Sequence, residues 1–142
     1  MVLLDPDIWG PHYWFFLHTV AYSYPKTPNK ITKRKYYDLI SNMPLFIPNA
    51  EIGNKFAQLL DKYPVTPYLD SQESFIRWVH FIHNKINSIL GKPEIGYLES
   101  LDIYGNHYKP KPVYLSEKLR IHKKYIYIII VLMCLFGIYI YS

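Results

Sequence analysis

The sequence predicts an all-α protein: a small four-helix bundle, a short fifth helix, and then a C-terminal transmembrane helix. Three observations carry that class. Four stretches repeat apolar residues at three- and four-residue steps, with a polar cap before them or a proline or glycine stop behind. Half of the 142 residues are hydrophobic, enough for one core. The final stretch, Tyr125–Tyr141, runs 17 residues without a charge. These divide the chain into a helical domain (1–95), an irregular basic linker (96–124) and a membrane anchor (125–141).

The first helix is expected over Asp7–Ser23. Asp7 can cap it, and Pro11 is tolerated in a first turn. Trp14, Leu17, His18 and Ala21 share one face, and Tyr24-Pro25 ends the helix because a residue before proline avoids α geometry. His12 and His18 can each be helix surface or satisfied core; His18, inside so apolar a run, reads as a buried, hydrogen-bonded side chain. A second helix, Thr32–Met43, points Tyr36, Leu39 and Ile40 inward and leaves Lys33-Arg34-Lys35 as a solvated face. Pro44 and Pro48 bracket a short apolar connection. Asn49 then caps a third helix with Glu51 in its first turn, where the helix dipole favours negative charge. Ile52, Phe56, Leu59 and Leu60 form its buried side, and Tyr63-Pro64 stops it.

The fourth helix, within Ser71–Lys92, has both ends marked. Ser71 caps it, and Gly91 followed by Lys92-Pro93 closes it. Phe75, Trp78, Val79, Ile82, Ile86, Ile89 and Leu90 form a buried stripe. A second stripe, His80, His83, Asn84 and Asn87, follows the same spacing. Periodicity leaves two readings of it: a solvated face, or a polar wall lining a ligand pocket. After Pro93 the periodicity fades. A short helix is expected near Gly96–Ile103 and an extended basic linker beyond it.

Several functions are excluded by composition. The formal charge of +5 is too weak, and too concentrated toward the C-terminus, for a nucleic-acid partner. One cysteine, Cys134, excludes an intramolecular disulfide, a CxxC redox centre and a multi-cysteine zinc site. His80, His83 and His122 lack carboxylate or thiolate companions at ligand spacing, so no metal site is expected. No nucleophile elbow, P-loop or dinucleotide fingerprint occurs. No cleavable N-terminal signal is recognisable. The 15 tyrosines suit half-wet interfaces.

The 17 uncharged residues of Tyr125–Tyr141 span roughly 25 Å as a helix, the low end for a bilayer. Tyrosines stand at both ends, and Arg120, His122, Lys123 and Lys124 precede them. A single-pass tail anchor with the globular part on the cytosolic side is expected. Cys134 then faces lipid or a packed helix.

Four pieces, in order, resemble one family. They are Trp9-Gly10-Pro11 with Trp14 and Leu17-His18; Tyr24-Pro25; Pro48 through Phe56; and Trp78 with His83-Asn84, Asn87 and Leu90-Gly91-Lys92-Pro93. Together they are similar to the Erv/ALR family of FAD-linked sulfhydryl oxidases, over about residues 8–95. Single-domain members of this size occur in large DNA viruses. The resemblance implies a helical bundle holding FAD, usually as a homodimer. It implies that Trp14, His18 and Tyr24 line the cofactor, that Trp78, His83, Asn84 and Asn87 contact its isoalloxazine and adenosine parts, and that Lys92 lies near the pyrophosphate. The polar stripe of the fourth helix then becomes a flavin wall.

One departure decides the expected chemistry. The family carries P-C-x-x-C at the start of the third helix; here the cysteine positions are Asn49 and Ile52. In the family that pair exchanges with a substrate dithiol and passes electrons to the flavin, and a helix N-terminus favours its thiolate. Asn49 caps the helix instead and Ile52 suits a core, so fold is kept while the relay is lost. The expectation is therefore a membrane-anchored, redox-inactive homologue, a pseudoenzyme acting as an interaction protein, with capsid proteins as partners and a virion internal membrane as its site. The alternative is an FAD-dependent thiol oxidoreductase that uses cysteines from a partner.

Overall fold

The computed structural model describes residues 4–110 and 115–141 and divides into two compact units, Met1–Tyr108 and Lys109–Ser142. The first unit contains α1 (Pro6–Tyr22), α2 (Lys30–Phe46), α3 (Ala50–Lys62), a 3-10 turn (Thr66–Tyr68), α4 (Gln72–Ile89) and α5 (Tyr97–Asn106); the second contains α6 (Leu115–Tyr141). No strand occurs among the described residues.

Helix ends follow local chemistry. The Asn49 side chain accepts from the Ile52 N–H at 3.0 Å, and Ser71 Oγ from the Ser74 N–H at 3.2 Å, each satisfying an orphan donor of a first turn. Two starts lie earlier than the sequence suggested. Asp5, not Asp7, caps α1 by accepting from the Asp7 N–H, because Pro6 suits a first helical position. Asn29 caps α2 through the Thr32 N–H at 2.8 Å. Helix α2 also continues past Met43 to Phe46, with Pro44 in its last turn. At the end of α4, Gly91 takes φ +69°, the Gly91 N–H donates to the Ser88 carbonyl, and the Lys92 N–H donates to the Asn87 carbonyl at 2.8 Å. This is the Schellman arrangement, and it needs a residue at ease in the left-handed region.

Leu17, Ala21, Ile40, Phe56, Phe75, Val79 and Ile82 are among the residues that fill the core between the four long helices. Tyr24 packs edge-on against Phe75 at 5.2 Å and donates to the Leu69 carbonyl, which satisfies its buried hydroxyl. The indole of Trp78 donates to the Tyr63 carbonyl at 3.1 Å. Helices α2 and α3 meet closely at Gly53, where an added Cβ would lie 2.8 Å from the Pro44 carbonyl oxygen. Ile89 and Leu90, expected in the buried stripe, are instead exposed, because the helix ends there.

Within the stretch expected as a basic linker, two parts among the described residues are helical: Tyr97–Asn106, and the start of α6 from Leu115. Helix α5 buries Ser100 and Tyr104 and packs on α1 and α4, so the first unit runs to Tyr108, past residue 95. In the second unit α6 already begins at Leu115, and Leu119–Tyr141 is long and apolar enough to cross a membrane, with mean hydropathy 2.0. At 1.5 Å per residue its length is about 35 Å, which covers a hydrocarbon core.

Candidate functional site

The first unit encloses an open cavity of about 560 Å³. Its walls come from the first four turns of α1, Met43 near the end of α2, the start of α3, the last turns of α4 with the segment after it, and α5. Trp14 and Leu17, Ile52 and Phe56, His83 and Asn87, and Tyr104 are among the lining residues. A mostly apolar, aromatic wall with a few polar groups is what a planar organic ligand requires, and the volume lies in the usual range for such sites.

His83 is the best-defined polar group of the wall. Its ring stacks on Trp14, with centroids 4.0 Å apart and planes 13° from parallel. Behind it, His18 Nε2 lies 3.3 Å from His83 Nδ1. His18 is 1% exposed and stacks in turn on Tyr104 at 3.8 Å. Burial pushes the His18 pKa down to about 3, with His83 and His80 adding to the effect. Burial likewise lowers His83 to about 4, helped by His80 and Lys92. Both rings are therefore neutral at physiological pH. Burial, with Tyr22 nearby, raises the Tyr104 hydroxyl to about 12, so it stays a neutral hydroxyl.

The eight expected site residues divide. Trp14, His83, Asn87 and Lys92 line the cavity together. His18 stands directly behind His83. Asn84 is spent elsewhere: its amide donates to the Ile95 carbonyl at 2.8 Å and accepts from the Ile95 N–H at 3.0 Å, holding the segment after α4 against the helix. Tyr24 and Trp78 lie in the core and are absent from the cavity wall. Lys92, set in place by the Schellman turn, pairs with Asp7 at 2.6 Å between the two helix ends at the cavity edge. The polar stripe of α4 is thus neither wholly solvated nor wholly a pocket wall: His83 and Asn87 reach the cavity, while His80 and Asn84 face Tyr97 and Ile95.

Ile52 is part of the wall and Asn49 caps the helix beneath it. Ile103 and Tyr104 of α5, and His107 just after it, also line the cavity. Sequence reasoning missed them, although Ser100 and Tyr104 at a four-residue step were available as a sign of a buried face. Among the described residues no cluster of three potential metal ligands occurs.

Comparisons with known proteins point one way. A model of the Erv1 / Alr family matches residues 11–104. A probable FAD-linked sulfhydryl oxidase of Acanthamoeba polyphaga mimivirus is 32% identical over 109 residues, covering 76% of each chain. A putative FAD-linked sulfhydryl oxidase of Invertebrate iridescent virus 6 is 31% identical over 66% of this chain and 88% of its own. The mitochondrial FAD-linked sulfhydryl oxidase erv1 of Schizosaccharomyces pombe is 32% identical over 62% of this chain, but only half of its own length is matched. Among solved structures, the yeast Erv1 core superposes with a TM-score of 0.66 at 25% identity, over 73% of this chain and 86% of that one.

Proposed function

Because the chain belongs to the Erv1/Alr family, we propose that it keeps a flavin site but not a dithiol relay, and serves as a membrane-tethered interaction protein rather than an oxidase. The observation that carries this reading is Ile52. It stands in the cavity wall where the family resemblance places a cysteine, while Asn49, at the other cysteine position, is committed to capping α3. The chain's single thiol, Cys134, belongs to α6 and is exposed there among apolar side chains.

The residues present fit FAD. The cavity has room for a planar ring system, and neither His83 Nε2 nor the Asn87 side chain has a hydrogen-bond partner among the described residues. Trp14, His83 and Asn87 would hold the cofactor, with Lys92 for its phosphates and His18 supporting His83. When bound, FAD supplies two-electron redox chemistry at its ring. Tyr24, Trp78 and Asn84 serve the site by fixing the helices and the loop around it.

Membrane attachment is read from α6, with Arg120, Lys123 and Lys124 at the start of its apolar span and the globular unit on the cytosolic side. Capsid proteins and a second copy of the chain are the partners proposed. A second reading, a flavin enzyme using a partner's cysteines, is favoured by the survival of uncommitted polar groups in the cavity.

Purified in detergent, the full chain should be yellow from bound flavin and should leave dithiothreitol unoxidised in air. Flavin-dependent oxidation of dithiothreitol by the chain alone overturns the non-catalytic reading. A stable but colourless protein that takes up no added FAD removes both flavin readings.

A further inference from the structure

We propose that His18 is a positioning residue that fixes the tautomer of His83, so that His83 presents an Nε2–H donor to the cavity. A neutral imidazole has one N–H and one acceptor nitrogen. One proton must lie between His18 Nε2 and His83 Nδ1, and it can belong to either ring. If His18 donates, His83 Nδ1 is the acceptor and the only proton of His83 sits on Nε2. If His83 donates instead, His18 must carry its proton on Nδ1.

The second arrangement is the poorer one. His18 Nδ1 is sealed from solvent and has no hydrogen-bond partner among the described residues. A proton there would be a buried N–H without an acceptor, which folded proteins avoid more strictly than an unmet lone pair. His83 Nε2 also has no partner among the described residues, but it is not sealed, and its ring lines the cavity. Turning the His83 ring over would set a carbon against His18 and lose the bond, while Trp14 stacked on one side and His18 at the edge hold the ring in place. Burial keeps both rings uncharged, so no second proton confuses the assignment.

The consequence for binding rests on the flavin reading: the donor meets a ring nitrogen or carbonyl oxygen of a planar heteroaromatic ligand. The tautomer itself does not depend on that reading, and the two can be tested apart. Long-range proton–nitrogen correlation spectra of the histidine-labelled full chain in detergent, at neutral pH, should show Nε2–H tautomers for both His18 and His83. An Nδ1–H signal from either ring overturns the proposal.

FAD titration supplies the second arm. The amide N–H of His18→Gln can stand in for Nε2–H, so this variant should bind FAD within about twofold of the parent. His18→Asn, whose amide falls nearer the Nδ1 position, should bind about tenfold more weakly, a loss of ~1.4 kcal/mol. Equal affinities for the two variants reject the positioning role. Absence of FAD binding by the parent, with the Nε2–H tautomers observed, rejects the flavin reading and leaves the tautomer assignment standing.

Discussion

Asn49 caps α3 at a position where the family resemblance places a cysteine. Its Oδ1 satisfies the Ile52 N–H, and three residues later Ile52 meets the cavity. Replacing both by cysteine puts a thiol at a helix N-terminus, where thiolate is favoured, and a second thiol in the wall. The double variant Asn49→Cys, Ile52→Cys should lose about 1 kcal/mol for the cap and gain measurable oxidation of dithiothreitol when flavin is bound. A flavin-loaded variant with no gain shows that the site has diverged further than these two positions. Asn84 gives the opposite case, a family-motif residue spent on structure. Asn84→Ala removes both bonds to Ile95 and leaves its backbone groups short of partners, so thermal denaturation should show about 1–3 kcal/mol of destabilisation. Asn84 shares a helical stripe with Asn87, and spacing alone cannot tell them apart. What separates them is the chain after Gly91 folding back over one and not the other, a non-local fact.

At the scale of elements, caps and stops were legible because they are local. Asn49 and Ser71 act as read, and Gly91 takes the positive φ that its place before Lys92-Pro93 implied. Gly91→Ala should lower stability by about 1 kcal/mol, because the left-handed region is strained for any Cβ, and should weaken FAD binding by misplacing Lys92. Helix α5 was only partly legible. The stretch holds two glycines and a proline near its ends, and its anchoring depends on Tyr104 stacking on His18 far back in the chain. Gly53 was equally hidden: nothing local marks it as the place where α3 approaches the Pro44 carbonyl oxygen of α2. A methyl there meets backbone rather than a movable side chain, so Gly53→Ala should destabilise the first unit by about 1–3 kcal/mol in denaturant unfolding.

Over the whole molecule, the buried histidine pair ties stability to pH. His18 and His83 are held neutral, with pKa values lowered to about 3 and about 4 from the ordinary 6.5. In the unfolded chain both titrate near 6.5, so below that pH the unfolded state binds protons that the folded state refuses. Stability is then fully present above about pH 7 and falls as pH drops through 6.5 toward 4, where first His83 and then His18 begin to protonate in the fold. Each such proton contributes at most about 1.4 kcal/mol per pH unit. Between pH 7 and pH 5 the pair should cost the first unit about 2–4 kcal/mol. Carboxylates titrate mainly below that window, and His80, only partly buried and lowered for the same reason, adds a smaller share in the same direction. Denaturant midpoints of the full chain in detergent, measured at half-unit pH steps, should therefore fall steadily from pH 7 to pH 5. In His83→Gln the slope should be roughly halved, because one of the two suppressed titrations is gone. A midpoint flat across that range would mean that the pair is open to solvent or already charged, and a neutral relation between His18 and His83 could not stand.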